Sequence, residues 1–272
     1  MMEFYFLASN EMIEMNKRIV VVGSGNVATH LALALYKKGY DILQVYSRQL
    51  ANAETLANRV GGVAVDNIAD IVDDADFYFI SVKDDAIADI VSSLKIQNPD
   101  AVVAHTAGSV PLSVLSLKVA HSAVFYPMQT FTKSRELDFS VIPCFIEASD
   151  AETFSKIKVV AGSISNRVVE ADSARRKTMH LAAVFACNMV NHCYHLAEKI
   201  LADNNLDFSL LYPLIDETTK KAQLMSPFLA QTGPMIRYDQ SVMNAQKAML
   251  HDEDMKELYD VMAKSIHNRH SK

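Results

Sequence analysis

The chain is poor in the residues that mark several specialised classes of protein. Its 272 residues include no tryptophan, eight glycines, seven prolines and three cysteines, and the cysteines form no CxxC pair. This composition argues against a collagen-like repeat, a flexible linker or a disulfide scaffold. The odd number of thiols favours a reduced, cytoplasmic protein. No apolar run reaches the roughly 18 residues that span a bilayer, so we expect no membrane partner.

The charge balance also lacks any basic excess. The 26 basic residues against 32 acidic residues give a net charge of −6, which disfavours nucleic acid as a partner. Hydrophobic residues make up 50% and charged residues 21% of the chain, as in an ordinary globular protein. The length fits one large domain or two smaller ones.

Strand-like and helix-like segments alternate in the first half of the chain. This alternation, with its short connections, predicts an α/β fold with a Rossmann-like, doubly wound parallel sheet. Strands are expected at Arg18–Val22, Asp41–Tyr46, Val63–Val65, Phe77–Val82, Ala101–His105, Ala123–Tyr126 and Ile142–Ile146. Helices are expected at Asn26–Lys38, Leu50–Val60, Asn67–Val72 and Asp84–Leu94.

The second half shows helical patterns only. Long helices are expected at Asp172–Ala202, Phe208–Met225 and Asp252–His267, which predicts an all-helical C-terminal domain. Because Leu181–Cys187 is apolar on nearly every side, we expect that part of the first long helix to be buried. The predicted organisation is a dispensable N-terminal extension at 1–15, a dinucleotide-binding domain at 16–165 and a helical domain at 166–272.

A glycine-rich loop follows the first strand and opens the first helix. The residues that fit its GxGxxA pattern are Gly23, Ser24, Gly25, Asn26, Val27 and Ala28. In such loops the first glycine permits a tight turn, the second lets a pyrophosphate approach the backbone, and the alanine allows close packing. The free N–H groups of the helix N-terminus bind the pyrophosphate. A plain strand-turn-helix is the alternative, but this context favours dinucleotide binding.

The end of the second strand indicates which dinucleotide is bound. A site for NAD carries an acid about 20 residues after the glycines, whereas this chain has Ser47 and Arg48 there. A serine hydroxyl can donate a hydrogen bond, and an arginine can pair with a 2′-phosphate. NADP is therefore the predicted cofactor, with a merely solvated Arg48 as the alternative.

Two further strands end in polar residues at the carboxyl edge of the sheet, where ligands of open α/β sheets bind. Ser81, Val82 and Lys83 follow one strand, and His105 and Thr106 end the next. We expect these five residues to flank the ribose or the nicotinamide. A polar strand end is the alternative for His105.

Three motifs carry a family resemblance. Val21–Ala28 (VVGSGNVA), Tyr126–Phe131 (YPMQTF) and Thr232–Asp239 (TGPMIRYD) resemble proteins assigned as NADP-dependent oxidoreductases, which join a Rossmann-like domain to a helical domain of unknown function. The layout is more distantly similar to pyrroline-5-carboxylate reductase and to deazaflavin-dependent NADP reductases. The resemblance implies hydride transfer, a cleft between two domains and a homodimer built on the helical domain, and it names no substrate.

Two positions depart from that family. Many members carry histidine where this chain has Tyr126, whose hydroxyl can still donate a hydrogen bond but does not titrate near neutral pH. The third motif of the family continues with a glycine where this chain has Tyr238. If that glycine requires a positive φ, the local turn is altered.

A polar stripe follows the long helix at about 3.6 residues per turn. Its members are Lys177, His180, Asn188, Asn191 and His195. The stripe faces either solvent or a cleft, and for His180 and Asn188 the cleft is favoured because both lie near the apolar centre. Some β-hydroxyacid dehydrogenases of similar layout use a Lys-xxx-Asn pair here, but Val184 stands at the lysine position.

The sequence thus predicts an NADP-dependent oxidoreductase that acts on a small C=O or C=N compound in an inter-domain cleft. The predicted catalytic residues are His180 as proton donor and Asn188, although His180 can equally be structural. Tyr126, Gln129, Thr130 and Arg237 are predicted to line the substrate side. No metal site is expected. Two alternatives stay open: an NADP-binding sensor or scaffold without turnover, and a reductase with a deazaflavin partner.

Overall fold

The computed structural model describes residues 17–271, so the predicted N-terminal extension lies outside the described residues. Eight strands form one sheet. They are β1 Arg18–Val22, β2 Asp41–Tyr46, β3 Val63–Val65, β4 Phe77–Ile80, β5 Val102–His105, β6 His121–Pro127, β7 Cys144–Ala148 and β8 Val168–Glu170. The α/β prediction is confirmed, and every predicted strand is present within a few residues of its expected bounds.

The strand order is β3-β2-β1-β4-β5-β6-β7-β8. The order reverses between β1 and β4, and this reversal opens the crevice in which doubly wound sheets bind ligands. The sheet is not wholly parallel, because β7 pairs antiparallel with β6. The connection from β6 to β7 contains only the short 3₁₀ helix Phe139–Val141, and a parallel return needs a longer crossover segment.

Helices cover the sheet in the first part of the chain. They are α1 Asn26–Lys37, α2 Leu50–Val60, α3 Ile87–Ser93, α4 Ser113–Ser116, α5 Ala151–Ile164 and α6 Ser173–Ala183, with 3₁₀ turns at Ile68–Asp70 and Asp84–Ala86. The helix α5 and the three-residue strand β8 are missing from the sequence-based prediction. Asp150 caps α5 by accepting a hydrogen bond from the Thr153 N–H at 2.8 Å.

The core of this part lies on both faces of the sheet. Alternate residues of β1 point to opposite sides, so Ile19 and Val21 belong to one buried cluster and Val20 and Val22 to the other. Both faces of the strand are covered, which explains why its sequence is a continuous β-branched run.

The described chain divides into two compact units, the first ending at Phe185 and the second beginning at Ala186. Each unit is considered by itself, and the domain boundary near residue 165 stays a prediction. The second unit contains helices only. They are α7 Val190–Ala202, α8 Tyr212–Leu224, α9 Pro227–Ala230, α10 Pro234–Arg237, α11 Gln240–Ala248 and α12 Glu253–His270, with a 3₁₀ turn at Phe208–Leu211. No described helix is long and apolar enough to cross a membrane.

The long helix predicted at Asp172–Ala202 differs from the structure in two respects. A π-helical stretch, Val184–Met189, separates α6 from α7. Its wider turn changes the angular phase, so residues before and after it do not follow one stripe at 3.6 residues per turn. The expected burial of the apolar centre is also wrong within this chain, because Leu181 and Phe185 are each 59% exposed.

Tyr238 adopts a backbone conformation with a positive φ. Tyr238 ends α10 with φ 53° and ψ 45°, in the left-handed region, where a residue with a side chain costs about 1–2 kcal/mol. Its ring packs on His267 of α12, with the ring centroids 4.5 Å apart. This contact offsets part of the strain.

Candidate functional site

The glycine-rich loop turns sharply between β1 and α1. Gly23 has a φ of 127°, and a Cβ at this position would collide with the backbone carbonyl of Ser81. Only glycine therefore fits here, both for its conformation and for its close approach to the end of β4. Gly25 differs, because a Cβ built on it meets no atom within 4 Å. The space in front of Gly25 is open toward a ligand.

The N-terminus of α1 has the properties of a phosphate-binding site. Gly25 is its N-cap, no side chain caps the first turn, and that turn contains no acidic residue. The leading N–H groups, on Asn26 and its neighbours, are therefore available to an anion at the positive end of the helix dipole. These residues fit the pyrophosphate of NADP, as the sequence pattern predicts.

Ser47 and Arg48 follow β2 beside this loop. The Ser24 hydroxyl donates to the Ser47 hydroxyl at 2.9 Å, which joins the phosphate loop to the end of β2. Arg48 is exposed, and no acid occupies the position that would bind the ribose hydroxyls of NAD. The pair fits a 2′-phosphate, which an arginine can bind through two parallel N–H donors.

One cavity of about 740 Å³ is lined by the glycine-rich loop, by the ends of β2, β4 and β5, and by part of β6 and α6. The predicted site residues that line it are Gly23, Ser24, Gly25, Asn26, Val27, Ser47, Arg48, Ser81, Val82, Lys83, Thr106, Tyr126, Gln129 and His180. Thr106 donates from its hydroxyl to the Ser81 hydroxyl at 3.0 Å, which links two neighbouring strand ends. The volume suits a cofactor or a drug-sized ligand.

Tyr126 and His180 form a hydrogen-bonded pair on the wall of this cavity. The Tyr126 hydroxyl lies 3.0 Å from Nδ1 of His180, and the two rings meet edge to face with centroids 5.8 Å apart. Gly108 packs directly against both side chains. A Cβ at Gly108 would lie 2.6 Å from His180 Nδ1 and 2.9 Å from Tyr126 Cζ, so any larger residue would displace the pair.

The surroundings of Tyr126 affect its acidity in two opposing ways. Burial raises the pKa of Tyr126 above its ordinary value of 10.0, and the positive charge of Arg176 lowers it. Burial is the larger effect, so the hydroxyl is protonated at neutral pH. The Tyr126 ring also packs on Phe145 of β7, with centroids 6.1 Å apart. The hydroxyl thus keeps its proton at neutral pH and is hydrogen-bonded to an imidazole nitrogen.

The helix that carries His180 is anchored to the sheet by an ion pair whose arginine is fully buried and whose carboxylate is partly exposed. Arg176 of α6 has no exposed surface, pairs through Nη1 with the carboxylate of Glu147 on β7, and donates through Nη2 to the Val110 carbonyl. The Ser173 hydroxyl donates to the same carboxylate at 2.8 Å and accepts from the Leu112 N–H at 3.1 Å. The start of α6 is therefore fixed to β7 and to the segment after β5.

Several predicted site residues do not line the cavity. His105 is fully buried at the end of β5, where its Nδ1 accepts a hydrogen bond from the Ala107 N–H at 3.2 Å. Burial, and secondly the charge of Arg176, lower the pKa of His105 to about 4, so it is neutral near pH 7. Ala28 is buried against the sheet, as its packing role requires, and Thr130 is exposed outside the cavity.

Asn188 and Arg237 belong to the second unit. Asn188 is exposed within the π-helical stretch, and Arg237 is exposed at the end of α10. Their predicted functions, like those of the other site residues, stay predictions.

Sequence reasoning missed several residues of the site. Gly108 stands in the segment His105–Ser109, whose small residues were visible, but only the folded chain shows that it touches Tyr126 and His180. Arg176 lies between Arg175 and Lys177, and nothing local distinguishes a buried cation from its two exposed neighbours. Its partner Glu147 is 29 residues away.

Comparisons with known proteins agree with this architecture. Residues 18–108 match a family described as NADP oxidoreductase, coenzyme F420-dependent, and residues 142–266 match a domain of unknown function. A crystal structure from Bacteroides fragilis, provisionally named an NADP oxidoreductase, is 46% identical and has a TM-score of 0.91, with 94% of this chain and 99% of that chain covered. A comparison with curated proteins finds no match.

More distant structures share the fold alone. A Thermotoga maritima protein is 22% identical with a TM-score of 0.76, and the match covers 93% of this chain and 100% of that chain. A reductive aminase from Aspergillus terreus in complex with NADPH is 14% identical with a TM-score of 0.66, covering 92% of this chain and 94% of that one. The phosphate loop, the absence of a ribose-binding acid and the full-length similarity at 46% identity together identify the family. This chain belongs to the NADP-dependent oxidoreductases that join a Rossmann-like nucleotide-binding domain to a helical domain of unknown function.

Proposed function

We propose that this protein is an enzyme that reduces, or in reverse oxidises, a small C=O or C=N compound with NADP. The cofactor supplies or accepts the hydride. The observation that carries the proposal is the hydrogen-bonded pair of Tyr126 and His180 in the same cavity as the phosphate loop. A cofactor site and a proton donor in one cavity are the two requirements of carbonyl or imine reduction.

The reaction needs a proton on the substrate oxygen or nitrogen as the hydride reaches its carbon. Tyr126 gives this proton from its hydroxyl, which is held in the protonated form by burial. His180, whose Nδ1 lies 3.0 Å away, gives the proton of its Nδ1–H to the phenolate oxygen, and this partly exposed imidazole then takes up another proton from solvent. Gln129 lines the same cavity and orients the substrate through its amide. Three roles stay predictions from the sequence, namely the catalytic role of Asn188 and the substrate contacts of Thr130 and Arg237. The location of the substrate between two domains also stays a prediction.

We also propose that the protein acts as a homodimer. Apolar side chains at four-residue spacing, Leu181, Phe185 and Met189, are exposed along the helical segment that ends the first unit and begins the second. A second copy of the chain is the commonest way to cover such a surface. The cytoplasmic location stays a prediction from the composition.

A panel of substrates tests the proposed activity. The wild-type protein and NADPH are incubated with a cyclic imine, with a ketone alone and with the ketone plus a primary amine, and NADPH oxidation is followed by absorbance. We expect turnover with at least one member of the panel. Tyr126→Phe should lower kcat by at least about a hundredfold, the usual effect of losing a general acid, and leave the Kd for NADPH unchanged.

Tyr36→Phe is the matched control, because Tyr36 is an exposed tyrosine of α1 and is absent from the cavity wall. It should retain full activity. Tight NADPH binding without turnover on any substrate would favour a sensor or scaffold that binds NADP. Oxidation of NADPH only when an oxidised deazaflavin is added would favour the other alternative, a deazaflavin-dependent reductase.

A further inference from the structure

We propose that Arg176 and Glu147 form the positioning unit of the proton-donating site. This ion pair holds His180 against the Tyr126 hydroxyl and places one fixed positive charge near that hydroxyl. The inference rests on the proposed function insofar as Tyr126 is the proton donor. It assigns a task to two residues that touch neither substrate nor cofactor, since neither lines the cavity.

The first support is the way in which the ion pair connects the two elements that carry the donor pair. Tyr126 lies on β6, and Glu147 lies on the adjacent strand β7, where it pairs with Val124. Arg176 precedes His180 by four residues on α6, so both side chains are on the same face of the helix. One ion pair between β7 and α6 therefore fixes the separation of the Tyr126 hydroxyl from His180.

The second support is the burial of the arginine of this ion pair. Arg176 is completely enclosed, and its Nε atom has no hydrogen-bond partner among the described residues. Buried ion pairs gain little net stability, because desolvation of the two charges offsets their attraction. Folding alone therefore gives little reason to place an arginine here. A fixed charge next to a proton donor gives a physical reason.

The third support is electrostatic. Arg176 is the charged residue that acts on Tyr126, and it lowers the phenol pKa against the larger effect of burial. Of the other titratable groups near Tyr126, His105 is neutral, His180 is the hydrogen-bond partner, and Lys83 and Asp84 are exposed on the cavity wall. Glu147 balances part of the arginine charge. The Arg176–Glu147 pair thus controls how readily Tyr126 releases its proton.

Two single substitutions distinguish this electrostatic role from a merely structural one. Arg176→Gln removes the positive charge, so the pKa of Tyr126 should rise. Glu147→Gln leaves the arginine uncompensated, so the pKa of Tyr126 should fall. We expect shifts of at least about half a pH unit in opposite directions, as for removal of a nearby charge. The pKa is measured by NMR titration of ¹³Cζ-labelled tyrosine, with the Tyr126 signal assigned by its loss in Tyr126→Phe.

Arg176→Lys serves as the second variant, because it keeps the charge and loses the forked geometry. It should leave the pKa of Tyr126 near the wild-type value and should fold even if Arg176→Gln does not, since its cation remains available to Glu147. A fall in the pKa of Tyr126 in all three variants would show simple loosening of the site and would overturn the inference.

Failure of the proposed function has a different signature. Opposite pKa shifts in a protein that reduces none of the test substrates would uphold the effect of the ion pair on Tyr126 and reject catalysis. Turnover together with shifts in one direction would uphold catalysis and reject the positioning unit.

Discussion

The two compact units of the molecule differ in how completely each buries its apolar side chains. In the first unit, residues on both faces of the sheet form two buried clusters. Among residues 186–271, the buried apolar side chains are Met243, Met255 and Ala263. Large apolar side chains there are instead exposed, with Leu224 at 84% and Leu229 and Met249 at 72%. The first unit therefore has an extensive buried core, whereas the second leaves most of its large apolar side chains at least partly exposed.

The candidate site belongs to the first of these two units. The phosphate loop, the Tyr126–His180 pair and its ion-pair anchor all lie in the first unit, and each is fixed by contacts with the sheet. The site therefore does not depend on the second unit for the contacts described here. The helices of the second unit supply apolar surface, which is the usual material of an oligomer interface.

The largest effect is expected from a charge placed among the exposed apolar side chains Leu181, Phe185 and Met189, which lie where the first unit ends and the second begins. The wild-type protein should sediment as a dimer near twice 30.2 kDa. Phe185→Asp should abolish that dimer, because Phe185 is 59% exposed in the single chain and an interface would bury the new charge without a partner. Analytical ultracentrifugation at micromolar concentration measures the outcome.

Leu117→Asp is the control for this substitution. Leu117 is 84% exposed in the first unit and lies outside the helical segment that carries Phe185, so its replacement adds the same charge at another apolar position and should leave the dimer intact. If the wild-type protein sediments as a monomer, the proposed homodimer is wrong and the exposure of Leu181, Phe185 and Met189 has no explanation.

The next effect compares two glycines of the phosphate loop. Gly25→Ala should leave the melting temperature unchanged, because its Cβ meets no atom of the protein. It should weaken NADPH binding by at least about tenfold, since the methyl group then occupies the space that a pyrophosphate approaches.

Gly23→Ala should lower both stability and affinity, because its Cβ collides with the Ser81 carbonyl and its φ is 127°. Thermal unfolding and NADPH fluorescence separate the two results. Equal affinities of wild type and Gly25→Ala would show that the cofactor does not approach this glycine.

The strands of the first unit could be predicted because their signals are local. Arg18–Val22 is a β-branched run buried on both faces, and the glycines after it occur in a fixed context. The antiparallel direction of β7 and the strand β8 could not be predicted, since both depend on pairing with distant strands. The π-helical stretch changes the phase of the polar stripe, and an angular count at constant pitch cannot detect it.

The site could be predicted only where one segment supplies it. The phosphate loop and the residues Ser47 and Arg48 were found from spacing alone, and they line the cavity. The neighbourhood of Tyr126 and His180, 54 residues apart, could not be found in this way. The enclosure of Arg176 likewise depends on contacts made by three separate segments. A local pattern can predict a phosphate loop, whereas the pairing of two side chains 54 residues apart depends on tertiary packing.

The last effect concerns the preference for NADPH over NADH. Arg48 is exposed and lines the cavity next to Ser47, so we expect it to bind the 2′-phosphate that distinguishes the two cofactors. A charge-assisted contact of this kind is worth roughly 1.5–3 kcal/mol, or about ten- to a hundredfold in affinity. Arg48→Gln should therefore weaken NADPH by that factor and leave NADH unchanged, as measured by calorimetric titration.

The control and the salt dependence sharpen this prediction. Arg59→Gln removes an exposed arginine of α2 that is absent from this cavity wall, and it should preserve the preference for NADPH. Because Arg48 is exposed, its contact with the phosphate is screened by salt, so the preference of the wild type should decline between low and high ionic strength. In Arg48→Gln the remaining preference should vary less with salt. If the wild type binds NADPH and NADH with equal affinity, Arg48 does not bind the 2′-phosphate, and Ser47 binds the ribose hydroxyls alone.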